Sequence, residues 1–76
     1  MTRYFFDLVS QQRCRHDVRG RDLPTLEEAR RLAEYIAIDL ATGPEDQWVG
    51  WSVAVRGVDG LELFAVPIQV LALTAA

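Results

Sequence analysis

The stretch Leu23-Pro24-Thr25-Leu26-Glu27-Glu28-Ala29 decides how the chain is read. Thr25 and Glu28 stand at the spacing of a capping box. The Thr25 hydroxyl can accept from the Glu28 backbone N–H, and the Glu28 carboxylate can reach back to the Thr25 N–H. Leu23-Pro24 keeps the entering chain extended. Glu27 and Glu28 favour the positive end of the helix dipole. Gly43-Pro44 is a stop signal, so one helix is predicted over about 25–42. On it, Leu26, Ala29, Ala33, Ile36, Ala37 and Leu40 form one apolar stripe, with Leu32 at its edge. The small alanines let such a helix lie close to a sheet. Tyr35 and Ile38 face away from the stripe, and two such neighbours on a small domain suggest a contact surface.

On the N-terminal side, residues 3–9 alternate in part. Tyr4, Phe6 and Leu8 share one face of a predicted strand, with Phe5 and Val9 on the other. Ser10-Gln11-Gln12 is a polar break, and Arg13 to Val18 is expected to return as a second strand. Gly20 marks a turn, with Asp17 and Asp22 placed to accept backbone N–H bonds around it. On the C-terminal side, Pro44 to Gln47 reads as a loop. Trp51 to Val58 alternates, and Asp59-Gly60 predicts a two-residue type I′ turn. Leu61 to Val66 returns, and Pro67 ends the strand. The expected architecture is α+β, ordered ββαββ: two hairpins form an antiparallel sheet with the helix on one face. Residues 1–67 make the single domain. The apolar tail 68–76 is left as an extra strand, a core cover or an interface segment.

Composition agrees with a small folded domain. The chain has 76 residues, of which 50% are hydrophobic and 25% charged. That excludes a disordered tail, and the lone Cys14 excludes a disulfide scaffold. A domain this size buries only about 60% of its unfolded surface. Oligomerisation is a common remedy, so a homodimer is expected. Net charge is −3 and the pI about 4.9, a poor overall match for nucleic acid or anionic membrane. The charge is uneven. In residues 1–23 five Arg oppose three Asp, whereas in residues 24–50 two Arg oppose six acids. No apolar run approaches the roughly 20 residues of a membrane span. The N-terminus carries no signal-peptide pattern, and the lone thiol fits a reducing compartment. A cytoplasmic protein is therefore expected.

The opening Met1-Thr2-Arg3-Tyr4-Phe5-Phe6-Asp7-Leu8 resembles the Met-x-Arg-Tyr-Phe-Phe-x-Leu start of a family of short bacterial proteins of unknown function, common in soil and plant-associated bacteria. Asp17, Gly20, Leu23-Pro24-x-Leu26, Ala29 and Ala33 are similar to its centre. Val53-x-Val55, Asp59-Gly60 and Val66-Pro67 are similar to its closing hairpin. The resemblance implies no catalytic residue and no ligand. The chain departs from it at Ser10-Gln11-Gln12-Arg13-Cys14 and in its longer apolar tail.

Candidate chemistry is sparse. Cys14 and His16 share one face of the expected strand, but a structural zinc site wants four protein ligands and no other Cys or His exists. Asp7, Asp17 and Asp22 carry carboxylates near the first hairpin, yet no spacing places two in one cleft. The glycines are scattered turn residues, not a phosphate loop. Trp51 is expected in the core and Trp48 partly exposed in the loop, as a contact residue. These observations predict a non-enzymatic module without metal or cofactor, acting through protein contacts. Its candidate interface residues are Tyr35, Ile38, Trp48, Ile68, Val70 and Leu71. The alternative is a nucleic-acid-associated, antitoxin-like regulator using Arg13, Arg15, Arg19 and Arg21 of the first hairpin.

Overall fold

The computed structural model describes residues 1–44 and 47–70. Its elements are β1 (Thr2–Val9), β2 (Cys14–Arg15), β3 (Arg21–Leu23), α1 (Leu26–Thr42), β4 (Ser52–Arg56) and β5 (Glu62–Pro67). The five strands form one antiparallel sheet in the order β2-β1-β4-β5, with β3 also paired to β1. The fold is α+β, with the helix packed on the sheet.

The helix begins as its sequence dictates. The Thr25 hydroxyl accepts from the Glu28 N–H at 3.1 Å, while the Glu28 carboxylate lies beside Arg31 at 3.9 Å. After Thr42 the chain turns extended at Gly43. Ala29, Ala33 and Ala37 are the buried face of α1. They meet Tyr4, Val53 and Val55, with Phe6, Leu8, Ile36, Leu40, Phe64 and Val66 packed around them. Val53 and Val55 are the largest fully buried side chains, each contributing about 2 kcal/mol by removal from water. Leu26, expected within the stripe, lies at the exposed first turn instead.

The two hairpins differ. β4 and β5 pair from Ser52↔Pro67 to Arg56↔Glu62, with a bulge at Val55/Arg56. Their connection is not the expected type I′ turn. Gly57 N–H donates to Leu61 O and Gly60 N–H to Gly57 O, both at 3.0 Å. This is a three-residue loop, a type I turn followed by a glycine bulge. Only Gly60 has positive φ, at 85°. Asp59 keeps ordinary φ because its carboxylate accepts from the Leu61 N–H at 3.1 Å.

The first hairpin is broken. The expected return strand from Arg13 to Val18 exists only as β2. The chain leaves β1 after Arg15 and rejoins it further along as β3, pairing Arg3↔Asp22 and Tyr4↔Arg21. The intervening residues 16–20 run beside the β1 edge between β2 and β3, and Asp7 points to the sheet face opposite the helix.

Candidate functional site

Three places in the molecule bear on function. The first is a polar cluster on the face of the sheet opposite α1. Asp7 sits mid-strand in β1 among aromatics, and its side chain is only 6% exposed. A carboxylate so buried must be paired or bonded. Arg56 supplies a charged partner, its Nε donating to Asp7 Oδ2 at 2.6 Å. The Asp17 N–H donates to Asp7 Oδ1 at 2.8 Å, and Arg56 Nη2 donates to the Asp17 carbonyl at 3.0 Å. The Arg56 guanidinium also lies over the Phe5 ring, 4.6 Å from its centroid.

Asp17 replaces the missing strand. Its Oδ2 accepts from the Phe6 N–H at 3.1 Å, and its Oδ1 accepts from Arg19 and Gly20 N–H at 3.0 and 3.1 Å. Partial burial raises this carboxyl, but the N–H groups of Gly20, Phe6 and Arg19, with Arg56 nearby, outweigh that and hold it below its ordinary value of 3.8. Gly20 closes the loop with φ of 71°. A Cβ there would lie 2.9 Å from Phe5 Cε2, so only glycine fits. Asp22, expected to cap this turn, instead grips Arg3 through both oxygens, at 3.0 and 3.1 Å. The hydrogen bond and charge of Arg3 lower the Asp22 carboxyl.

Cys14 and His16 come together beside Asp7. The Cys14 sulfur lies 3.7 Å from His16 Nδ1 and 3.6 Å from Nε2, and His16 Nδ1 lies 3.6 Å from Asp7 Oδ2. The residue types match a nucleophilic triad, but the geometry does not. A sulfur equidistant from both ring nitrogens lies along the in-plane lone pair of neither. The Asp7 oxygens are already engaged by Arg56 and Asp17. Among the described residues no group of three or more His, Cys, Asp or Glu is arranged to hold a metal ion, and no helix is long and apolar enough to cross a membrane.

The second place is a cleft of about 530 Å³ between the β1–β2 turn, residues 10–13, and the loop 47–51, with Arg15 on its wall. Trp48 and Trp51 meet edge to face inside it, centroids 5.3 Å apart. Trp48 is buried and Trp51 only partly so, the reverse of the sequence expectation. The reason is a turn in which Trp51 N–H donates to Trp48 O at 3.0 Å, carrying the Trp48 ring back into the core. Arg15 and Arg13 border this cleft. Arg19 and Arg21 lie apart from it, so the four arginines do not form one surface.

The third place is an apolar groove of about 540 Å³ between the second half of α1 and β5, bordered by Ala37, Ile38, Ala41, Val66 and Pro67. Ile38 on its border is 62% exposed, and Tyr35, on the same helix but outside the groove lining, 67%. Of the other residues expected at a contact surface, Trp48 and Ile68 are buried in the chain's own core. The Ile68 N–H donates to Trp51 O at 2.9 Å, prolonging the β4–β5 ladder. Val70 packs against that core, and Leu71 lies outside the described residues. The sequence reading missed Arg56 and the role of Asp7. The available signal was an Asp inside an aromatic strand, which demands a partner.

No curated protein and no solved structure matches the chain. A family model described as a domain of unknown function (DUF6894) matches residues 3–69. That span runs from the Arg3–Asp22 pair through the Asp17 loop, the helix and both hairpins to the residue after Ile68, so the chain belongs to this family.

Proposed function

We propose that the domain is a non-enzymatic protein-interaction module that first associates with a second copy of itself, through the outer edge of β5 and the shoulder of α1 beside it. One observation carries this reading. Among the described residues β5 is the last strand of the sheet, and its interior, Leu63 to Val66, bears no charge and no proline. Natural edge strands are normally blunted by such residues. Glu62 and Pro67 stand at the two ends of β5, and among the described residues the one charge over its middle is the Arg30 guanidinium on the Phe64 ring, on the helix side, 4.6 Å from the centroid.

The neighbouring surface supports the same occupant. Leu63, on the sheet face away from α1, is 47% exposed and Ile38, on the helix side, 62% exposed, so apolar side chains flank the edge on both sides. Antiparallel pairing of β5 with β5 across a two-fold axis extends the sheet and brings the two Ile38 shoulders toward one another. The polar cluster supports the non-enzymatic part of the reading, because its carboxylates are spent on backbone N–H groups and Arg56. The test is sedimentation equilibrium of the full chain at on the order of tens of micromolar. A dimer is expected, and Ile38→Glu or Ala65→Lys should shift it to monomer with unchanged circular dichroism. A wild-type chain that stays monomeric throughout removes the proposal.

A further inference from the structure

We propose that the cleft between the β1–β2 turn and the Trp48–Trp51 loop binds a nucleotide unit, an aromatic base carrying a phosphate, either free or within a single strand. This site is at the opposite end of β4 from the Asp59-Gly60 loop and does not depend on the self-association proposed above.

The cleft has two walls. Both are turns closed by their own hydrogen bonds, so the cleft is formed before any ligand arrives. On one side, Ser10 N–H donates to Arg13 O at 2.8 Å, and Ser10 Oγ accepts from Gln12 and Arg13 N–H at 3.3 and 3.1 Å. On the other, the Trp48–Trp51 turn closes at 3.0 Å with Gly50 at φ 80°. Binding to a preformed cleft avoids the ordering cost of a loop.

The chemistry of the lining is selective. Two arginines, Arg13 and Arg15, line the cleft, and no carboxylate is present among the described residues that do. The Arg15 guanidinium lies 5.5 Å from the Trp48 ring centroid, which holds it over the indole while its N–H groups remain available. Arg13 has no acidic side chain within ion-pair distance among the described residues. Trp51 lines the cleft, is half-buried and meets Trp48 edge to face. An aromatic platform beside paired guanidiniums matches a base stacked on one and its phosphate held by the others. Gln11 and Gln12 add carboxamides able to donate to and accept from a base edge. An acidic peptide satisfies the arginines but leaves the indoles and the carboxamides unused, so the nucleotide is favoured.

The two tryptophans of the chain both line this cleft, so tryptophan fluorescence is sensitive to its occupation. The full chain is titrated with adenosine monophosphate, with a short oligothymidylate and with an acidic peptide of Asp and Glu. Saturable quenching by the mononucleotide or the oligomer is expected, and which of the two binds more tightly identifies free or strand-borne nucleotide. Arg13→Ala should weaken that binding about tenfold and lower the slope of log affinity against log salt by about one. Arg13→Lys should restore most of it. Arg21→Ala, outside the cleft, should change neither quantity. Each variant is a surface change whose folding is checked by circular dichroism. Absence of quenching up to millimolar nucleotide overturns the assignment. So does equal quenching by the acidic peptide, or equal sensitivity to Arg13→Ala and Arg21→Ala, which marks diffuse attraction rather than a site.

Discussion

The two hairpins of this sheet hold their shape by different physics. The second, β4 to β5, is a regular ladder closed by a compact turn, and its inward valines are buried against α1. The first is interrupted at residues 16–20, and what closes it is a set of directed polar contacts around Asp7, Asp17 and Arg56. Apolar packing tolerates small shifts, whereas a buried carboxylate with fixed donors does not. The first hairpin is thus the more specified and the more breakable of the two.

The largest effect should come from Asp7→Ala. It leaves the Asp17 N–H without its acceptor and the Arg56 guanidinium without its charge partner. A loss of about 3 kcal/mol is expected, read as a lower midpoint in urea with unchanged slope. A loss no greater than that of an exposed-site change such as Glu27→Ala would show that the cluster is ornamental. The next contrast compares two glycines of like backbone. Gly20 and Gly60 have φ of 71° and 85°, but a Cβ at Gly60 meets nothing within 4 Å, while one at Gly20 strikes Phe5. Gly60→Ala should cost about 1 kcal/mol for conformation alone, and Gly20→Ala about 2 kcal/mol because steric conflict is added. Equal costs in matched thermal melts would mean that the Phe5 contact relaxes freely.

The smallest effect concerns pH. The folded Asp17 carboxyl lies below its ordinary value of 3.8. The unfolded chain therefore binds this proton more readily, and stability falls as pH drops. The contribution is complete above about pH 5 and is lost as the pH falls through the lower folded value. Asp17→Asn should flatten the acid limb of a stability-against-pH curve. An identical acid limb in both proteins would place the acid sensitivity elsewhere, with Asp22 beside Arg3 the next group to test.

Local signals made the helix and the second hairpin legible. Thr25 and Gly43 marked the helix ends, and the Trp51–Val55 alternation marked β4. The Asp-Gly pair located a turn, although the Asx bond of Asp59 selected a different type. The interrupted first hairpin was not legible, because its determinants are distant. Arg56 is separated by 49 positions from the Asp7 it pairs with. Composition alone does not say that an Asp side chain will stand in for strand backbone. The tryptophans were misordered for a related reason. Which indole enters the core depends on how the loop after α1 doubles back, and no periodicity runs through that loop. Tyr35 and Ile38 were correctly read as facing outward because helical spacing decides that locally.

The alanine seam of α1 carries one more consequence. Ala29, Ala33 and Ala37 set the spacing between helix and sheet with single methyl groups. Ala37 borders the groove beside β5, but a larger side chain at the fully buried Ala29 or Ala33 must displace the packed core. The helix must then rise as a rigid rod, opening a gap along its whole length rather than a blister at one point. Variation in this domain is therefore cheap at its rim and nearly forbidden along that one line, and the thinness of the molecule is itself a constraint on how it can change.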